Sequence, residues 1–419
     1  MHVSSTRSHR LIRCSTAVFC AGLLSMTSVL AQWPQWGGPD RDFKSNATGL
    51  ADAWPDAGPP QVWSRELGEG YSAISVDSGT LYTMYRSGDD EKIVALAAAD
   101  GKTRWEHTTA APTEKGMRMG FGPGPHCTPL IVGKRLFAVG ILGAFHCLDK
   151  QTAKQLWSHD LKKEYDARQL PRGYACSPIA YKDMVILTGG GDGHAIMAFK
   201  QDSGELVWHS QTYVSTYSSP ILIEFGGRPQ LVAFMGAELV GLDPDTGKLL
   251  WSHPHPTNMF VNVCTPCWNG KDILFCSSAY NMGARAIRLK MVGDKFETEE
   301  LWYNKKFQIH HGNALIIGNY VYGSSGSFGP AFYMAVNLGT GEIVWRKRGF
   351  AKATSLLADG KVIFLDQDGR LVLAKLSPEE MTVLSEFQLF DERSWTVPTL
   401  VGKRLYARDR KRIVALDLG

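Results

Sequence analysis

The phrase GLDPDTGKLLWSHP at 241–254 returns with the same skeleton as ALAAADGKTRWEH at 95–107, CLDKQTAKQLWSHD at 147–160, AFKQDSGELVWHSQ at 198–211 and AVNLGTGEIVWRKR at 335–348. Aligned on the residue that closes the phrase, the series is Trp63, Trp105, Trp157, Trp208, Trp251, Trp302 and Trp345, with Phe387 in the eighth place. Successive steps are 42, 52, 51, 43, 51, 43 and 42 residues. A period of about 40–50 residues, filled with short alternating segments and turn signals, specifies propeller blades of four strands each.

One blade reads strand by strand. CTPLIVG (127–133) is an inner strand, RLFAVGIL runs back, AFHCLD leaves again, and a turn over QTAK returns the chain through the outer strand QLWSHD. Alternation, β-branched residues and Gly/Asp turns agree with antiparallel hairpins. Inner strands begin eight times, at YSAISV, HCTPLI, ACSPIA, YSSPIL, VCTPCW, HGNALI, ATSLLA and WTVPTL. The chain ends on a third strand, KRIVALDLG, and QVWSREL (61–67) is a fourth strand with no first three before it. The expected fold is therefore all-β: an eight-bladed β-propeller over 61–419, closed by pairing the N-terminal and C-terminal strands so that the ring has no free sheet edge at its seam. Residues 32–60 form a leader before the ring.

Within the phrase, T-G or S-G supplies a turn residue free to take positive φ. The indole on the fourth strand is placed to slot between blades and find a partner for its N–H. The phrase is a structural device.

The pattern A-x-D-x-x-T-G-x-x-x-W, with eight occurrences, resembles the repeat of pyrroloquinoline-quinone (PQQ) type propellers, the family shared by quinoprotein alcohol dehydrogenases and the BamB scaffold of outer-membrane barrel assembly. The leader WPQWGGPDRD (33–42) followed by GEGYSAISVDSGTLY is similar to the start of exported bacterial PQQ-repeat proteins. For a dehydrogenase the resemblance implies a PQQ beneath a disulfide of adjacent cysteines, calcium on Glu and Asn, and an Asp base. No Cys-Cys pair occurs in the sequence, and no position clearly matches the calcium Glu or the base. For the scaffold branch the lipid-anchor cysteine is missing. Fold alone does not assign the work. The expected role is binding or scaffolding without a catalytic set or metal and without a cofactor; the alternative is a quinoprotein oxidoreductase using PQQ with calcium.

The N-terminus carries Arg7, Arg10 and Arg13, then an apolar run from about Ala17 and the small-residue pattern Val29-Leu30-Ala31, which is a cleaved signal over 1–31. The expected destination is the periplasm or the exterior. Without the three signal arginines the formal charge of +4 falls to about +1, which gives no global field for nucleic acid. No second apolar stretch approaches membrane length. A monomer is expected. Six cysteines remain beyond the signal: Cys127, Cys147, Cys176, Cys264, Cys267 and Cys276. A core of this size does not need disulfide staples, and their pairing stays open.

Where the inner strands converge, one column is uniformly small: Ser72, Cys127, Cys176, Ser218, Cys264, Gly312, Thr354 and Thr396. Packing near the axis explains it better than a thiol cluster. Cys264 and Cys267 lie on a predicted strand, where residues three apart face opposite sides, so they are not expected to chelate. Just before the column stand Tyr71, His126, Tyr217, His311 and Trp395, with Tyr174 and Asn262 nearby. His126 and His311 fall on opposite sides of the ring, and His310 and His311 are expected to point apart. The loops at 108–126, 161–175 and 252–263 should open on one face. The mouth they form, with Arg118, His126, Arg172, Tyr174, Tyr217, Asn262, His311 and Trp395, is the expected site for a protein, peptide or glycan. GGGDGH (189–194) and LDQDGR (365–370) lie where blades need hairpin turns, without the helix or ligands that phosphate or calcium loops require.

Overall fold

The computed structural model describes residues 1–2, 32–168, 170–327 and 329–419; the signal expected at 1–31 thus lies almost wholly outside the described residues. From residue 31 to the end the chain is one compact unit. Eight antiparallel sheets are present, seven of four strands and one of five. The blade read above consists of Leu130–Val132, Arg135–Val139, Ala144–Asp149 and Gln155–Asp160. The inner strand is shorter than CTPLIVG suggests, because the segment that approaches the axis leaves the ladder before it reaches the mouth. Both glycine-rich segments are hairpin links, GGGDGH between Met184–Thr188 and Ile196–Lys200 and LDQDGR between Lys361–Leu365 and Arg370–Leu376.

The ring closes as the two chain halves require. Gln61–Glu66 pairs antiparallel with Arg412–Asp417, Trp63 standing opposite Ala415 and Ser64 opposite Val414. The core is divided into several clusters, with Phe137, Phe145 and Phe199 fully buried in one, Phe275 in a second and Phe364 in a third.

The repeated phrase works across blades. Each indole donates its N–H to a carbonyl in the third-to-fourth strand turn of the next blade: Trp63 to Ala98 at 3.0 Å, Trp105 to Lys150 at 3.0 Å, Trp157 to Gln201 at 3.1 Å, Trp208 to Pro244 at 3.1 Å, Trp302 to Leu338 at 2.8 Å and Trp345 to Ser377 at 3.0 Å. The turn glycine then lies flat on the ring. Gly247 has φ +70° and a Cβ there would come within 2.4 Å of Trp208; Gly341 meets Trp302 in the same way at 2.5 Å. Glycine is required twice over at such a position, by the left-handed backbone and by the contact. Trp251 is the exception. The next blade joins its third and fourth strands by a long hairpin, Gly283–Val292 with Lys295–Asn304, so no T-G turn reaches the indole. Trp251 donates instead to Gln230 Oε1 at 2.6 Å, within its own blade. At Phe387 the leader supplies the missing cap, since Gly58, just before the closing strand, lies against its ring.

The leader is more than an approach to the ring. Trp33 forms a two-way bridge with Val76, and the Ile131 N–H donates to Pro34. Arg41, 3% exposed, donates to the carbonyls of Ser177, Pro178 and Pro220. The Trp36 indole donates to Thr265 Oγ1 at 2.9 Å, and Lys44–Ser45 adds a parallel fifth strand to Thr354–Ala358. The Ser45 hydroxyl also donates to the Leu400 carbonyl, so 33–45 bonds to seven of the eight blades. These contacts fall three to five residues further along the inner segments than Tyr71, His126 and Tyr217, about 10–17 Å deeper at roughly 3.3 Å per residue. The leader closes one end of the channel.

Candidate functional site at the channel mouth

The other end is open. Loops 108–126 and 161–175 meet where the Arg118 N–H donates to Pro171 at 2.7 Å, and the third loop meets the inner segment of its own side where the Tyr217 N–H donates to Asn262 at 3.0 Å. Below them lies a funnel of about 910 Å³, counting the space open to solvent at its mouth, with Trp36 of the leader in its floor. Arg118, His126, Arg172, Tyr217, His311 and Trp395 all line it, together with Tyr71 and Phe121.

Rings run across the funnel in contact. His126 stacks on Tyr71 at 5.8 Å between centroids, Tyr71 meets Trp395 at 5.2 Å, and Trp395 stacks on His311 at 4.2 Å. Two rings therefore stand between the opposed histidines. Tyr71 is fixed by its hydroxyl, which donates to the Phe121 carbonyl, and burial raises its pKa to about 12. Phe121 lies 5.6 Å from Trp395, and the Arg393 guanidinium stands over both, 5.1 Å and 4.8 Å from their centroids. Burial holds the imidazoles neutral: His126 falls to about 4 and His310 to about 3, and His311 is pushed well below its usual value with Lys352 and Arg172 adding to the effect.

Two expected members lie elsewhere. Tyr174 is buried as a wedge between blades, its ring against Gly143 and Gly189 and its hydroxyl donating to Arg168. Asn262 is fully buried; its amide donates to Met235 at 2.7 Å and its carbonyl oxygen accepts from Ser278. Both sit next to mouth residues in sequence, but their side chains turn inward to satisfy backbone groups, which spacing alone does not reveal.

The histidine pair also departs from expectation. The rings of His310 and His311 are 4.0 Å apart, tilted by 32°. Their strand, Ile309–Ile317, carries a register shift between Ile309 and Ala314, and a bulge suspends the alternation that would send neighbours to opposite faces. A similar lapse affects Cys264 and Cys267. Only Cys267 lies in a strand, and both thiols donate to the Thr265 carbonyl, at 3.5 Å and 3.6 Å. No group of three His, Cys, Asp or Glu able to hold a metal ion occurs among the described residues. All six described cysteines are free, and burial pushes the thiols of Cys127, Cys147, Cys267 and Cys276 up to about 12. They behave as small apolar groups.

Sequence reasoning missed Phe121, Arg393, Lys352 and the floor. The tryptophan-and-glycine density of WPQWGG was the available signal that the leader packs rather than links.

Solved structures of two kinds are among those that share this architecture. BamB from Moraxella catarrhalis is 17% identical, the match covering 86% of this chain and 99% of that one with a TM-score of 0.60. The quinohemoprotein alcohol dehydrogenase of Comamonas testosteroni is 13% identical over 93% of this chain and 81% of its own, with a TM-score of 0.69. Quinohemoprotein alcohol dehydrogenase ADHIIG from Pseudomonas putida HK5 is 12% identical over 93% and 80%, with a TM-score of 0.61. At these identities the likeness is one of fold. No curated protein sequence matches. A family model described as outer membrane protein assembly factor BamB matches residues 89–347, well over half of the chain. With eight blades, the phrase on their outer strands and that match, the chain belongs to the BamB-type family of PQQ-repeat propellers.

Proposed function

We propose that this chain is an exported binding or scaffold propeller of the cell envelope, working as a monomer whose mouth seats a segment of a partner protein. The observation that carries the reading is the funnel itself. It is closed at the leader end, aromatic along its length and cationic at its rim, and its two lining imidazoles, His126 and His311, are held neutral by burial. Such a lining suits the recognition of an apolar segment with polar anchors. Export is supported by the arginine-led apolar N-terminus, and the envelope by the assembly-factor family.

The quinoprotein alternative draws on the same aromatic stack, which offers faces to a planar ring. The donor set argues against calcium beside it. Calcium takes six to eight oxygen ligands, carboxylates prominent among them. Here the lining is arginine, histidine and aromatic, while Glu69 is tied to Arg410 at 2.7 Å and Glu392 to Lys411 at 3.0 Å. Adding PQQ and calcium to the purified protein tests the choice. We expect no cofactor spectrum and no dye-linked alcohol oxidation; stoichiometric uptake of PQQ overturns the reading. On the binding side, crosslinking in the envelope should place a partner on Arg118 or Arg172, and crosslinks confined to the opposite face overturn it.

A further inference from the structure

We infer that the funnel receives the free C-terminus of a peptide: an α-carboxylate among its cations and an apolar last side chain among its rings. The inference rests on the mouth being the binding site and adds the chemistry of what enters.

Three observations converge. The first is charge. Arg118, Arg172, Lys352 and Arg393 face or border the funnel, and no carboxylate pairs with them among the described residues. Lys352 donates only to Gln367 Oε1 at 3.1 Å and stands 5.8 Å over the Trp395 ring; Arg393 has only ring faces. Of the neighbouring acids, Glu69 is engaged by Arg410 and Glu392 by Lys411, while Asp368 acts on Lys352 from a distance without pairing with it. The second is the sign of the unmet polar groups. On the funnel wall Trp395 Nε1 is a buried donor with no partner among the described residues; behind the wall one donor and one acceptor, Arg410 Nε and Glu69 Oε2, are also unmet. A wall of donors calls for a ligand of acceptors, because a buried donor left unmatched carries its desolvation cost uncompensated. A sugar presents hydroxyls that donate as well as accept and needs free carboxylates or amides opposite them, which the funnel lacks. A carboxylate only accepts.

The third is topology. Trp36 and the Arg41 anchor close the far end, so a chain cannot thread through the ring. An internal segment would have to enter and turn back within a space narrowed by Tyr71, His126, His311 and Trp395. A chain end enters without a turn. Its last side chain meets the Trp395 face, and its carboxylate lies within reach of guanidinium groups suited to bidentate pairing.

The test uses the whole exported chain and an N-terminally labelled hexapeptide, Gly-Ser-Gly-Ser-Leu-Phe, in four forms read by fluorescence anisotropy: free acid, C-terminal amide, last residue changed to Gly, and Phe followed by two further glycines. Trigalacturonate competes in a separate arm. We expect the free acid to bind at least about tenfold tighter than the amide, since a charge-assisted hydrogen bond contributes about 1.5–3 kcal/mol. The Gly-ended and extended peptides should be weakened comparably, and Arg172→Ala with Arg393→Ala should erase the acid-to-amide difference while leaving the melting temperature in place. Equal binding of acid and amide overturns the inference, as does tight binding of the extended peptide or of trigalacturonate. If none of the probes binds while crosslinks still map to Arg118 or Arg172, the C-terminus is wrong and the mouth stands; crosslinks elsewhere remove both.

Discussion

The rim of the wheel and its hub both use indoles, in opposite ways. At the rim every phrase tryptophan from Trp63 to Trp345 has its N–H bonded, six to the next blade and Trp251 to Gln230. At the hub Trp395 is stacked with His311 and faces Tyr71, yet its N–H has no partner. A satisfied indole between blades is a fastening. The unsatisfied one in the funnel is the donor that the proposed ligand would meet. The rim also repeats, because most blades meet the same kind of neighbour, whereas the hub draws single residues from several inner segments and Arg118, Phe121 and Arg172 from loops.

If the rim is a fastening, its removal should dominate any stability scan. Trp208→Ala deletes an indole that is 8% exposed, its bond to Pro244 and its contact with Gly247. A loss of about 3–5 kcal/mol is expected, read as a large fall in the urea midpoint. A smaller effect, about 1–3 kcal/mol, is expected from Gln230→Leu, which strands the buried N–H of Trp251. That variant sharpens the comparison within the rim. Should it prove silent, the junction without a T-G turn does not depend on its substitute acceptor.

The same contrast explains what was legible in the sequence. The rim was, because a device used in most blades writes itself at a nearly regular period: the glycine and the Trp recur because Gly101, Gly204, Gly247 and Gly341 each cover the previous blade's indole. Closure was legible because QVWSREL and KRIVALDLG are complementary fragments of one blade. The hub was legible only in part. Counting back from the inner strands located His126, Tyr217, His311 and Trp395, but Tyr174 and Asn262 share that spacing while their side chains bond inward. Lys352 and Arg393 reach Trp395 from outside the counted column. The leader's role as a floor depends on Arg41 finding three carbonyls on two blades, and nothing periodic announces such a contact.

Proton linkage separates hub from rim a second way. His126 titrates near 4 in the folded chain because burial, aided by the Arg172 charge, disfavours its cation, while the unfolded chain takes up that proton near 6.5. Between those values the unfolded state binds more protons, so stability is held above pH 6.5 and falls as pH drops toward 4. Glu91, raised to about 7 by burial, works with the opposite sign between 4.5 and 7, so the wild-type slope is a sum. The informative quantity is a difference. His126→Asn should flatten the decline by about 1–2 kcal/mol over that window, allowing for solvent at the mouth, measured by urea unfolding at pH 7 and pH 4.5. An unchanged slope means that His126 is hydrated at the open mouth and titrates as in the unfolded chain.

The smallest expected effect on stability is the most telling about the hub. Trp395→Phe keeps an aromatic face toward Tyr71 and His311 and removes only an indole edge whose N–H is buried and unbonded. Deleting an unmatched donor relieves a desolvation cost while some packing is lost, so the two nearly cancel and the unfolding free energy should stay within about 0.5 kcal/mol of the parent. The parallel change at the rim, Trp302→Phe, takes away the bond to Leu338 and part of the cover over Gly341, and should cost about 1–2 kcal/mol. Equal losses at the two positions would mean that the Trp395 N–H is satisfied after all, by water or backbone, and that the hub is fastened as the rim is. A neutral Trp395→Phe paired with a costly Trp302→Phe leaves the hub indole free for a ligand.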